Sequence, residues 1–391
     1  MLVGRESAII NERPRNESLF DFHINSFPRA SRMRTTLLIT MLIFLFPSEG
    51  YSQRRPPVAS PEFGDAGNVS FRIPAPDAKK VELVGQWPNG TADMNKNDNG
   101  IWELVVDKIP PGVWEYSLRV DGVTMIDPNN SEIKPMRSPR SSIIHVAGNP
   151  PLIHDFQSVL HGTVHSHTYD TLASGRPRRM AVYTPPGYEL DTNKKYPTLY
   201  LQHGSGDNEA TWVVHGKAHW IADNLIASNK AKPMVIVMLD GHIAPPTDRG
   251  SNTELFEKDL VAQVMPLVES TYRVMIGPEQ RAIVGLSMGG GQSLSIGLRN
   301  TDKFAFVGGF SSAIPSEESI AVSLSNPSQT NQRLKLLWVG CGKDDSLVKR
   351  NEEFIASLKS KGIEHQWHLT NGNHSWPLWR IYLSNFLPLL F

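Results

Sequence analysis

Ser287 is the residue best placed to do chemistry. It sits in Gly285-Leu286-Ser287-Met288-Gly289, with the apolar run Arg281-Ala282-Ile283-Val284 before it and Gly289-Gly290-Gly291-Gln292-Ser293 after it. The run reads as a strand and the glycine-rich stretch as a helix start. A serine on so tight a turn adopts a strained backbone, so residues two positions away must be small. The turn lifts the hydroxyl above the sheet. The helix behind it offers unpaired N–H groups to a developing oxyanion, that of Met288 first.

An alkyl hydroxyl needs a base, and the base needs an orienting acid. Both types follow in the chain. Leu334–Gly340 reads as a strand that breaks into Cys341-Gly342-Lys343-Asp344-Asp345, and the carboxylates of Asp344 and Asp345 compete for the acid's place. A helix with Phe354 and Leu358 comes next, then the strand His365–Leu369, then Asn371-Gly372-Asn373-His374-Ser375-Trp376. Acid and histidine each fall in a loop past the C-terminal end of a strand, where open α/β sheets place their chemistry. His374 is therefore the expected base. A second oxyanion donor is expected after the strand Thr198–Gln202, in His203-Gly204-Ser205-Gly206. Trp212 and Trp376 follow the oxyanion loop and His374, and both are expected at the mouth of the site, where an aromatic acyl group would stack on them.

These stretches resemble the carbohydrate-esterase family 1 type esterases, which include feruloyl, acetylxylan and enterochelin esterases. The resemblance runs from about residue 160 to the end. It is carried by Arg178–Tyr188, Tyr200–Gly204, Val237–His242, Gly285–Gly290, Gly340–Asp345 and Gly372–Trp376. It implies an α/β-hydrolase fold, a serine esterase mechanism and no cofactor. It carries the nucleophile to Ser287, the base to His374 and the acid to Asp345, and it leaves the second oxyanion donor between Gly204 and Ser205.

Upstream the organisation changes. Short alternating strands with turn signals at Asn99-Gly100, Pro110-Pro111-Gly112 and Asp121-Gly122 fill residues 67–150 and predict an all-β, immunoglobulin-like sandwich. This part resembles the early-set domains related to carbohydrate-binding module family 48, through Val84-Gly85-Gln86-Trp87, Asn99–Glu103 and Tyr116–Gly122. Trp87, Trp102 and Trp114 are expected to fill the sandwich core or a domain interface, with sugar stacking as the alternative. The sandwich is expected to fold alone and to carry no chemistry. The hydrolase part is placed at 155–391 and a linker at 53–66.

Residues 1–52 read as a presequence. The apolar run Leu37–Phe46 follows Arg29, Arg32 and Arg34 and is too short to span a bilayer. It fits a secretory signal, with Met33 as an alternative start, so export and no lasting membrane span are expected, a retained N-terminal anchor being the alternative. The single cysteine, Cys341, excludes an intramolecular disulfide and reads as a small buried side chain. A formal net charge of zero gives no sign of a nucleic-acid partner. His161, His165 and His167 are expected on one face of a strand, with Asp170 on the other. No H-E-x-x-H occurs, so no metal is expected.

The reading is therefore an exported serine esterase acting on carbohydrate-linked esters, with polysaccharide contact through the sandwich left as an open alternative. Its rivals are a siderophore trilactone esterase and a non-catalytic carbohydrate-binding protein.

Overall fold

The computed structural model describes residues 58–64, 67–171, 174–245, 248 and 250–391. The presequence, and the linker up to residue 57, lie outside the described residues. The sandwich starts earlier than its strand pattern suggests. β1 (Glu62–Phe63) pairs antiparallel with β2 (Val69–Pro74), inside the stretch expected to be linker.

Seven further strands complete the sandwich: β3 (Val81–Gly85), β4 (Thr91–Asp93), β5 (Asn95–Lys96), β6 (Ile101–Val106), β7 (Gly112–Val120), β8 (Val123–Met125) and β9 (Ser142–Val146). One sheet has the order β1-β2-β6-β5. The other runs β4-β3-β7-β8, with β9 also paired to β7. Alternation puts Val69, Phe71 and Ile73 of β2 inside against Val81, Leu83, Tyr116 and Leu118 of the facing sheet. Trp87 and Trp102 belong to this core, and the indole N–H of Trp102 donates to the Ala75 carbonyl at 2.9 Å. Trp114 packs against the core and donates to the Pro110 carbonyl at 2.7 Å. The tryptophans thus do the packing expected of them.

The second part is built on β10 (Thr163–Tyr169), β11 (Arg178–Thr184), β12 (Thr198–Gln202), β13 (Val235–Leu239), β14 (Arg281–Leu286), β15 (Phe306–Phe310), β16 (Leu336–Gly342) and β17 (Gln366–Thr370). Their order is β10-β11-β13-β12-β14-β15-β16-β17. The first two strands are antiparallel; from β13 to β17 all neighbours are parallel. The inner strands are buried on both faces, which is why they read as unbroken apolar runs. Tyr200, Val237 and Ile283 feed one core; Leu199, Leu201, Met238 and Val284, on the alternate positions, feed another. Strand order reverses around β12. The loop expected to hold the oxyanion follows β12, Ser287 follows β14, Asp345 follows β16 and His374 follows β17. This is an α/β-hydrolase fold with an immunoglobulin-like sandwich ahead of it.

Candidate active site

The elbow has the geometry that its glycines imply. Ser287 stands between β14 and the helix Met288–Arg299 with φ +53° and ψ −115°, a conformation unfavourable for a residue with a Cβ. A Cβ on Gly285 would lie 2.5 Å from the Gly289 backbone, and one on Gly289 would lie 2.3 Å from the His203 carbonyl oxygen. No larger residue fits at either position. The Ser287 N–H donates to the Phe310 carbonyl at 2.8 Å, and its own carbonyl accepts from Ala313 and Gly291. β15, the loop after it and the following helix thus hold the strained turn.

Three side chains converge there. His374 Nε2 lies 3.0 Å from Ser287 Oγ. His374 Nδ1 lies 2.9 Å and 3.1 Å from the two oxygens of Asp345. Asp345 is buried, whereas Asp344 is exposed and contributes its backbone N–H to the Gly372 carbonyl at 3.0 Å. The contest between the two carboxylates is decided by where they point. Burial alone would raise the Asp345 carboxyl; the His374 ring and the Leu347 N–H, 2.8 Å away, outweigh it and hold the group below its ordinary value. Cys341 is buried at the end of β16, and burial, with the Asp345 charge nearby, pushes its thiol up to about 12. It is an inert packing group.

The Met288 N–H opens its helix and has no partner within it. The loop after β12 lies against the elbow: a Cβ on Gly204 would stand 3.4 Å from the Ser287 Cβ. Several contacts fix this loop. The Gly241 N–H donates to His203 Nε2 at 2.9 Å, which leaves His203 Nδ1 to donate to the Gly204 carbonyl at 2.7 Å. The Gly206 N–H donates to His242 Nε2 at 3.1 Å. Gly204 and Ser205 are therefore both placed beside the serine.

Trp212 and Trp376 stand elsewhere than expected. Both are buried, with their rings edge to face at 4.9 Å, and the Trp212 indole donates to the Gln202 carbonyl at 2.9 Å. Neither lines the cavity at Ser287. They buttress the loops from behind, and the aromatic platform is corrected accordingly. A residue that no sequence motif marks has a closer tie: Trp379 meets the His374 ring edge to face at 4.9 Å. It lies one helical turn from Ser375, a spacing that marks it only once the helix Trp376–Phe386 is known.

His161 is also displaced from its expected place. It precedes β10 and its Nδ1 pairs with the Asp223 carboxylate at 2.9 Å. His165 and His167 share a strand face and meet Thr184 and Tyr272. Among the described residues no group of three His, Cys, Asp or Glu is arranged to hold a metal. No helix among them is long and apolar enough to cross a membrane.

A cavity of about 750 Å³ opens over Ser287 and Met288. Ser205, Gly206, His242, Ala244, Pro245, Asn252, Thr253 and Ala313 form much of its wall. The rest is Met136, Arg137, Ser138 and Arg140, from the segment between β8 and β9 of the sandwich. That segment crosses to the loop after β12. Met136 bridges Asp207, and the Arg137 N–H donates to the Gly206 carbonyl at 3.0 Å. Thr211 Oγ1 donates to the Pro135 carbonyl at 2.7 Å. Buried Lys134 joins Glu115 of β7 at 2.9 Å to Asp207 at 3.3 Å. The sandwich, expected to stand apart from the chemistry, completes the wall of the site.

Known proteins share both parts. Residues 171–390, more than half of the chain, match the family model described as "Putative esterase". The chain belongs to that esterase family. Residues 58–136 match carbohydrate-binding module 48, the isoamylase N-terminal domain. An endo-1,4-beta-xylanase/feruloyl esterase of Xylanibacter ruminicola is 30% identical over 85% of this chain, which spans only 46% of that protein. A ferulic acid esterase of Anaeromyces mucronatus, solved in complex with ferulic acid, is 26% identical with a TM-score of 0.54, over 61% of this chain and 93% of its own. The enterobactin esterase of Shigella flexneri shares the fold across both parts, with a TM-score of 0.61 and 17% identity over 87% of this chain and 97% of its own.

The buried and half-buried histidines predict an acid limit to stability. Burial holds His154, His219 and His242 at about 4, and His215 well below the ordinary value of 6.5. Between about 6.5 and 4 the unfolded chain therefore binds protons that the folded chain does not, so stability falls as pH falls. The depressed Asp345 carboxylate acts lower, below its ordinary value of 3.8. Denaturant midpoints at pH 5 are expected below those at pH 7. Equal midpoints would mean that these rings ionise inside the fold.

Proposed function

We propose that this protein is an exported serine esterase acting on acyl groups carried by carbohydrate, feruloyl or acetyl esters of xylan foremost. The observation that carries this reading is the unbroken relay from Asp345 through His374 to Ser287 Oγ at 3.0 Å. Ser287 attacks the ester carbonyl while His374 takes its proton and passes it to the leaving alcohol. Asp345 keeps Nδ1 protonated and stabilises the imidazolium. The N–H of Met288, with that of Gly204 or Ser205, holds the oxyanion. Water then enters by the same base and releases the acid. No cofactor takes part in this cycle.

The substrate class is supported by the two relatives named for feruloyl or ferulic acid esters and by the module 48 match. Met136, Met288, Ala244, Pro245 and Ala313 give the cavity an apolar side suited to an acyl group. Export is supported by the Leu37–Phe46 run after its arginines. The trilactone reading rests on fold alone.

The test is hydrolysis of methyl ferulate and of a chromogenic acetate ester, with Asp345→Asn and Asp344→Asn compared. Asp345→Asn is expected to lower turnover by about 10⁴-fold, because an amide favours the wrong ring tautomer. Asp344→Asn is expected to stay near the parent. Equal losses in the two variants would remove Asp345 from its role. A parent inactive on both esters would favour the binding-protein reading.

A further inference from the structure

The wall that the sandwich contributes carries two guanidinium groups, Arg137 and Arg140. Among the described residues lining the cavity there is no Asp or Glu to answer them. Neither arginine makes an ion pair with any described carboxylate. His242, the titratable ring of the same wall, is held at about 4 by burial first and by the neighbouring His203, with the Asp240 carboxylate opposing and Arg137 adding a smaller push.

The segment bearing these arginines is built in place. Its backbone is bonded to Gly206, bridged to Asp207 and anchored by buried Lys134. Arg137 and Arg140 are both exposed and unpaired, so two like charges three residues apart line the cavity that holds Ser287. Guanidinium forks match a carboxylate bidentately, and a cleft of one sign concentrates ligands of the other.

We infer that Arg137 and Arg140 bind a carboxylate on the non-reacting part of the substrate, so that the preferred ester is an anionic one. The inference rests on the esterase reading and narrows its substrate class. Given the carbohydrate-binding module match, the carboxylate belongs to a uronic acid residue of the sugar chain bearing the ester. The other source is a carboxylate at the far end of the acyl group.

Four small esters separate these sources. One pair is the acetate ester of a methyl uronoside and that of the matching neutral glycoside. The other is the nitrophenyl monoester of a dicarboxylic acid and its neutral isostere. The full chain is expected to prefer the uronoside over the neutral glycoside in kcat/KM by about 10–100-fold, the range of a charge-assisted hydrogen bond. That preference is expected to collapse in the Arg137→Gln/Arg140→Gln double variant, to return in part in the double lysine variant, and to shrink as salt rises. A preference confined to the dicarboxylic pair would keep the anion site and overturn its assignment to the sugar. Equal kcat/KM within both pairs, or a preference that survives the double variant, overturns the inference while leaving the Ser287 chemistry intact. Hydrolysis of none of the four by a chain that turns over methyl ferulate overturns this inference alone; inactivity on methyl ferulate as well overturns the esterase reading with it.

Discussion

Ser287→Ala is expected to reduce esterase turnover by about six powers of ten, the cost of losing a nucleophile that works as one unit with its base. The substitution removes only Oγ, so His374 keeps Asp345 and the elbow keeps its bonds to Phe310, Ala313 and Gly291. The φ of +53° still suits alanine no better than serine, so the variant should melt close to the parent. Substrate should still bind, because the cavity wall is untouched. The decisive measurement is turnover of a small acyl ester by purified, folded variant. A residual rate of a tenth of the parent's would mean that another group attacks the carbonyl. Cys341 is a poor candidate, since its thiol is buried at the end of β16 and raised to about 12.

The local parts of this site are legible in the chain itself. An apolar strand, a glycine-framed serine and a helix start are adjacent residues, and their steric demands are local. The same holds for Asp345 and His374, each one loop beyond a buried strand. Direction is what the sequence leaves open. Asp344 and Asp345 share a loop and differ only in where the turn aims them. Trp376 departs from expectation for the same reason: two residues from His374, it opens a helix that turns its ring toward Trp212 and His215, away from the cavity. Proximity along the chain says little about orientation when a helix begins between the two positions.

The part that escapes a sequence reading altogether is non-local. Residues 134–140 lie within the sandwich by every local signal, and no periodicity shows that they cross to a loop some seventy positions later. Lys134 belongs to none of the motifs read from the chain. It is buried because two carboxylates, Glu115 and Asp207, meet at one place from two domains. Such a site exists only after both domains have folded and docked.

A chain beginning at Asp155 is accordingly expected to lose its activity altogether, although it keeps Ser287, Asp345 and His374. The cut removes the Met136 bridge, the Arg137 N–H to Gly206 and the Pro135 carbonyl that holds Thr211. It strips buried Asp207, whose carboxyl burial already raises, of the Lys134 charge that opposes the shift. It also takes the Val113 carbonyl from Arg380, a fully buried guanidinium bonded to it at 2.9 Å. Breaking a buried charge pair costs about 3–5 kcal/mol, comparable to much of a domain's net stability. Loss of folding is therefore one expected form of the result, so a second variant separates stability from catalysis. Lys134→Met in the full chain keeps both domains and removes the ammonium's ties to Glu115 and Asp207. Its oxyanion loop should loosen, lowering kcat by about 10²-fold, the scale of one lost oxyanion donor, with KM little changed. Lys134→Arg should recover part of the loss. A truncated enzyme with the parent's kcat, or a Lys134→Met variant whose defect lies wholly in melting temperature, would return the sandwich to a separate role. The expected split, kcat falling while KM holds, would mean that the first domain shapes the transition state built by the second.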